Sequence, residues 1–207
     1  MSELAMFPLG TALLPHMALP LHVFEPRYRA LVEDVLAGTG TFGITLIRRG
    51  HEVGGGDERF EVGTVARVMH AEQLDDGRWL LIALGEERVR VRRWLQEAPY
   101  PRAEVEALSD VHDDARVAEL HARLAPRLLR VLELQHDLDD AGAVGPDTDL
   151  LDVPSVACWQ DPAVSPVAAL DRQRLLETDD CAQRLELLDE LLVGAEEVLT
   201  FRLLGGR

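Results

Sequence analysis

The sequence predicts an α+β chain: a β-rich part with one helix over residues 1–110, then a helical part over residues 111–207. Three observations carry that prediction. Up to Leu108 the apolar residues come in short runs bounded by proline or glycine, or alternate with polar ones. From Asp110 they recur every three or four residues, as on the buried face of a helix. The charge changes at the same place: residues 1–108 carry 12 arginines and 16 acids, residues 109–207 carry 9 and 21.

The elements follow in order. Leu4 to Leu9 and Ala18 to Phe24 are short, proline-bounded apolar runs, as expected of edge or buried strands. Pro26 suits the first turn of a helix in which Tyr28, Leu31, Val32, Val35 and Leu36 share a face and Gly38 ends it. Phe42 to Ile47 reads as a strand, and His51 to Arg59 as a loop containing Gly54, Gly55 and Gly56. Glu61 to Leu74 and Trp79 to Leu84 form a hairpin about Asp75-Asp76-Gly77. A second turn is expected at Gly85-Glu86-Glu87, followed by a strand from Arg88 to Trp94 and a last one from Ala103 to Leu108. So many short strands at regular turn spacing predict a small, closed or nearly closed sheet.

In the second part Val117, Leu120, Leu124, Leu128, Val131 and Leu138 trace one helix, with a kink expected at Pro126. Ala141 to Asp152 is a Gly/Pro/Asp loop, and Val156 to Trp159 an apolar segment ended by Pro162. Ser165-Pro166 has the form of an N-cap with proline behind it, opening a helix through Leu176. Asp179 is placed to cap a final helix with Leu185, Leu188, Leu192 and Leu199 on its apolar face.

Composition excludes several functions. All 21 basic residues are arginine, so a Walker A loop, a Ser–Lys dyad and a Schiff-base lysine are absent from these 207 residues. The net charge of −16 repels phosphate and anionic lipid, so neither nucleic acid nor a membrane is the expected partner. No apolar run reaches the roughly 18 residues that span a bilayer. Met1-Ser2-Glu3 has no basic stretch ahead of an apolar core, so no signal peptide is expected and the location is expected to be cytoplasmic.

The candidate motifs mostly dissolve on inspection. Gly38-Thr39-Gly40-Thr41-Phe42-Gly43 has the spacing of a dinucleotide fingerprint, but it leaves a helix and enters a strand, the reverse of what a pyrophosphate needs. The histidines at 16, 22, 51, 70, 112, 121 and 136 are scattered, and His51-Glu52 lacks a second histidine at Gly55. None of the four serines sits in a nucleophile elbow. Cys158 and Cys181 have no paired spacing and are read as buried free thiols. No catalytic residue, metal ligand or cofactor is therefore expected. The densest polar cluster, Glu25, Arg27, Tyr28 and Arg29, reads as a strand-to-helix corner or as a recognition surface. Arg88, Arg90 and Arg92 share one strand face by the two-residue period, giving a solvated face or a groove for an acidic ligand. The acids Glu119, Asp137, Asp139 and Asp140 read as a solvent-facing helix side.

Taken in order, Phe7-Pro8-Leu9-Gly10, Pro15, and Leu19-Pro20-Leu21-His22-Val23-Phe24-Glu25-Pro26-Arg27-Tyr28 resemble the opening of the N-terminal, substrate-binding domain of Lon-type ATP-dependent proteases. Phe42-Gly43, Val62-Gly63-Thr64-Val65-Ala66, Asp76-Gly77-Arg78, and Gly85 with Arg88 continue the resemblance in the same order. Asp171 to Glu177, with Arg184-Leu185, is similar to that family's helical half. The resemblance implies a PUA-like pseudo-barrel followed by a helical bundle, a stand-alone binding domain without motor or peptidase, and capture of polypeptide segments. It supplies no catalytic residue. The residues expected to line a polypeptide groove are Phe24, Arg27, Tyr28, Arg88, Arg90 and Arg92. Two other readings stay open: RNA binding through Arg88, Arg90, Arg92 and Arg93, and a hydrolase using Cys158 or a carboxylate pair. Self-association through the leucine-rich stretch from Asp180 to Leu204 is a further expectation.

Overall fold

The structure is a computed structural model that describes residues 2–50, 56–138, 150–151 and 153–205. His51-Glu52, Gly54, Gly55, Asp139, Asp140 and most of the 141–152 loop lie outside the described residues. The chain forms two compact units, Met1–Ser109 and Asp110–Arg207.

In the first unit the strands are β1 (Ser2–Leu9), β2 (Ala18–Val23), β3 (Thr41–Arg49), β4 (Glu58–Gln73), β5 (Trp79–Trp94) and β6 (Arg102–Ala107), with the helix α1 (Pro26–Ala37) between β2 and β3. Their order in the sheet is β2-β5-β4-β3-β1-β6, and β5 pairs with β6 as well. That last pairing closes β5, β4, β3, β1 and β6 into a ring, as expected of the β-rich part. β5 is long enough to serve both roles. Its second half pairs with β6, from Val89 opposite Ala107 to Trp94 opposite Ala103. Its first half carries β2, from Trp79 opposite Val23 to Leu84 opposite Ala18. β2 is therefore an appendage outside the ring.

The turn expected at Gly85 is not there: β5 runs through it without a break. Instead the chain between β1 and β2 crosses at this point. Gly85 N donates to Met17 O at 2.9 Å, and Gly85 O accepts from His16 N at 2.8 Å. A Cβ on residue 85 would stand 2.2 Å from Leu14 O, so the glycine is needed for close approach of two backbones, not for a turn. Thr64 fixes the same crossing with its hydroxyl, which donates to Leu13 O at 2.5 Å.

Period-two alternation feeds two cores. Phe7, Phe42, Ile44, Ala66, Leu81 and Ala83 pack against Tyr28, Leu31, Val32 and Val35 of α1. Their strand neighbours Met6, Val65, Val89, Val91, Ala103 and Val105 form the second cluster. Phe7 lies over Tyr28 with ring centroids 4.2 Å apart, a pair that anchors the start of α1 on the sheet. Gly38 caps the helix end as expected, donating its N–H to Val35 O at 3.2 Å, and Gly40, at φ +73, donates to the same carbonyl at 2.9 Å.

The second unit holds α2 (Asp114–Asp137), α3 (Pro154–Val164), α4 (Ala169–Glu177) and α5 (Cys181–Leu203). α2 is one helix with Pro126 inside it, capped by Asp113, which accepts from Arg116 N. α2 and α5 pack along Val117, Leu120, Leu124, Leu128, Leu185, Leu188 and Leu192, all buried. Ion pairs join Arg116 to Glu186, Arg127 to Asp189 and Arg130 to Glu196, so the two helices run parallel. Exposed pairs of this kind contribute about 0–1 kcal/mol each and set register more than stability.

Two cap assignments are corrected. Ser165 ends α3 instead of opening α4, because its hydroxyl donates back to Asp161 O at 2.5 Å. The last helix is capped by Asp180, which accepts from Gln183 N at 2.9 Å, one residue beyond Asp179. Among the described residues, no helix is long and apolar enough to cross a membrane.

Candidate functional site: the open edge of strand β2

β2 pairs only with β5, so its other edge has no strand partner among the described residues. The sequence builds this edge deliberately. Pro20 removes one ladder donor, which is tolerated at a sheet margin and not at its centre. Leu21 and Val23 point inward and pack on the α1 core, while Pro20 and His22 face out.

The outward face of the three-stranded β2-β5-β4 extension is apolar at its centre. Pro20, Ile82 and His70 lie in one cross-strand row, and His22, Leu80 and Glu72 in the next. Ile82 is 45% and Leu80 39% exposed, an unusual fate for large aliphatic residues in mid-strand. They line a shallow depression of about 390 Å³ with Pro20, His22, His70 and Glu72.

A second, deeper pocket of about 220 Å³ lies beside β2, lined among others by Phe7, Leu9, Leu19, His22, Phe24 and Tyr28. Phe24 is 53% exposed and its ring meets that of His22 edge-on at 6.0 Å. Tyr28 is only 3% exposed and forms part of the pocket wall. Burial pushes its phenol up to about 12, partly offset by the positive charge of Arg27. Arg27 lies over the Tyr28 ring at 4.5 Å and donates to Glu25 at 3.2 Å. The Glu25 cluster thus forms the strand-to-helix corner, with its arginine held by Glu25 and the Tyr28 ring.

Phe24 and Tyr28 are brought together in this pocket, while Arg27 is not among its lining residues and reaches it only by lying over the Tyr28 ring. The three strand arginines are placed elsewhere. They lie on the second half of β5, where Arg88 and Arg90 oppose Thr64 and Val62 of β4, whereas β2 covers only the first half. Arg88 is 2% exposed and donates to Ser109 O at 3.3 Å. Arg90 is half-buried. Arg92 is exposed and ion-paired with Glu106 across the strands, and Arg93 is paired in the same way with Glu104.

Sequence reasoning missed Pro20, His22, Leu80 and Ile82 as surface. A signal was present in Leu80-Leu81-Ile82: three apolar residues in succession cannot all face one side of a strand, so some had to face out. Among the described residues, the His, Cys and carboxylate groups close enough to share a metal are His112, Cys158 and Cys181, in the second unit.

Comparison with known proteins agrees with this architecture. The model of the ATP-dependent protease La (LON) substrate-binding domain matches residues 3–194. The Lon protease of Anaeromyxobacter dehalogenans is 31% identical over 191 residues, covering 89% of this chain and 22% of that protease. Lon protease 2 of Myxococcus xanthus is 30% identical with the same coverage. The chain thus spans about a fifth of the length of these relatives, in their N-terminal region. Among solved structures, a Lon N-terminal domain protein from Xanthomonas campestris superposes with a TM-score of 0.65 at 27% identity, covering 91% of this chain and 97% of that one. The N-terminal domain of a Mycobacterium avium complex Lon protease gives a TM-score of 0.68 over 93% of this chain at 19% identity, a likeness of fold. With a family match over nearly its whole length, the protein belongs to the Lon substrate-binding domain family.

Proposed function

We propose that the β-rich unit captures extended polypeptide segments along the open edge of β2, and that the chain acts by binding alone, in the cytoplasm. The observation that carries this reading is the edge of β2, unpaired among the described residues, with a pocket on one side and the exposed Leu80–Ile82 face on the other. An extended segment added to that edge completes the main-chain hydrogen bonds, and alternate side chains enter the pocket beside Phe24. The net charge of −16 favours neutral or basic segments over acidic ones. The matched relatives carry the name Lon protease, and the matching region is a substrate-binding domain, which supports a polypeptide ligand.

The test is binding of the purified chain to a reduced, unfolded model polypeptide, to its folded form and to single-stranded RNA, followed by fluorescence anisotropy. Micromolar affinity for the unfolded chain alone, lost in Phe24→Ala, supports capture at this edge. Equal affinity for the folded form, or no binding to either, sinks it. RNA binding with a steep salt slope would replace it with the nucleic-acid reading.

A further inference from the structure

We propose that His112, Cys158 and Cys181 form a binding site in the helical unit for a thiophilic d10 cation of the zinc type. The three ligands come from three separate segments. His112 precedes α2, Cys158 lies in the second turn of α3, and Cys181 is the first residue of α5. A short parallel bridge holds the first and last together. Val111 N donates to Asp179 O at 2.9 Å, and Cys181 N donates to Val111 O at 3.0 Å. His112 Nδ1 then stands 3.3 Å from Cys181 Sγ, and the two sulfurs are 3.2 Å apart. All three donor atoms lie within 4.8 Å of one another.

Tetrahedral zinc, with Zn–S about 2.3 Å and Zn–N about 2.0–2.1 Å, holds its donor atoms roughly 3.5–3.8 Å apart. The two short contacts open by a few tenths of an ångström, and Cys158 Sγ and His112 Nδ1, within 4.8 Å of each other, come to the same spacing by side-chain rotation. The donor set also suits the ion by type, since two thiolates neutralise its charge and the imidazole adds a borderline ligand. Both sulfurs are fully buried, while His112 is exposed. The site therefore opens to solvent on the imidazole side, where water completes the fourth position.

Arg184 opposes a cation, with Nη1 3.5 Å from Cys181 Sγ. Its charge is already matched, because Nη2 donates to Asp110 at 2.7 Å. What it presents to the sulfur is an N–H donor of the kind that orients metal-bound thiolates.

The test uses the reduced, metal-free full chain under anaerobic conditions, titrated with Co²⁺ and then Zn²⁺. The expected result is one equivalent of Co²⁺ with thiolate charge-transfer and tetrahedral d–d absorption, displaced by Zn²⁺, and a higher thermal midpoint with Zn²⁺. Cys181→Ser abolishes the thiolate bands. His112→Gln, at an exposed position whose change leaves the fold intact by circular dichroism, weakens Co²⁺ binding by at least about tenfold. Absence of thiolate absorption in the reduced wild type overturns the site, as does His112→Gln binding with unchanged affinity. Closure of the two thiols to a disulfide once oxygen is admitted, the oxygen being reduced to peroxide, even with Zn²⁺ present overturns it too and reassigns the pair to redox chemistry.

Discussion

The guanidinium of Arg184 lies over the indole of Trp159, 3.5 Å from the ring centroid, and neither side chain reaches solvent to any extent. The arginine also donates to Leu175 O at 3.1 Å and Thr178 O at 2.6 Å, carbonyls at the C-terminal end of α4, the first of which also accepts from Thr178 N. Asp110 completes the arrangement, accepting from both Arg184 and the Trp159 indole N–H, at 2.7 and 2.9 Å. A single cation thus satisfies a helix terminus, a carboxylate and an aromatic face at once.

Arg184→Met is expected to destabilise the helical unit by about 3–5 kcal/mol, because it removes the buried cation that pairs with Asp110 and donates to the Thr178 carbonyl. Urea denaturation followed by Trp159 fluorescence is the measurement. A loss under about 1 kcal/mol would mean that water replaces the guanidinium with little penalty.

Gly85→Ala is expected to cost about 1–3 kcal/mol or more, since its Cβ meets the Leu14 carbonyl at 2.2 Å and backbone cannot step aside. Gly194→Ala is the control. Nothing stands within 4 Å of its Cβ and the position is helical, so a gain of about 0.5–1 kcal/mol is expected there. The two are compared by thermal unfolding. Equal effects would argue that the β1–β2 crossing yields more readily than its hydrogen bonds imply.

The only two tyrosines, Tyr28 and Tyr100, are both pushed up to about 12, each mainly by burial; for Tyr100 the hydrogen bond to Asp34 at 2.7 Å adds to it. Spectrophotometric titration of the folded chain should therefore show little phenolate at pH 10, where an unfolded chain is half ionised. The linkage follows in sign. The folded state binds these protons more tightly, so stability is full below about pH 10 and declines as the pH rises towards 12. Tyr28→Phe should flatten part of that decline. A phenolate midpoint near 10 in the folded chain would contradict the burial of both rings.

Phe24→Ala should leave stability within about 0.5 kcal/mol, because the ring is more than half exposed, while weakening capture of an unfolded chain. Arg92→Gln removes a strand arginine that is occupied by Glu106 and lies away from β2, and should leave capture unchanged. If the arginine change weakens binding and the phenylalanine change does not, the recognition surface lies on the far half of β5.

Local rules accounted for much of this molecule. The start of α1 at Pro26, its buried face, the β4–β5 turn at Asp76-Gly77 and the long leucine faces of α2 and α5 are all nearest-neighbour features. What failed were places where a distant segment overrode the local one. Gly85 reads as a turn, yet Leu14 and Met17 hold it in a continuous strand. Arg88 alternates with core valines and should face water, yet it is buried and bonded to Ser109.

The sequence by itself determined the α+β class, the order of most elements, the absence of lysine chemistry and the acidic field, because these depend on residue type and on periods of two and 3.6. Only the tertiary structure decided that β5 closes the ring and carries β2 outside it, leaving an open edge beside Phe24. Only it brought His112, Cys158 and Cys181 within 4.8 Å of one another across 69 residues of sequence. The physical reason is common to both. Which edge stays unpaired and which side chains converge depend on how strands and helices separated in sequence pack, and no local period encodes that.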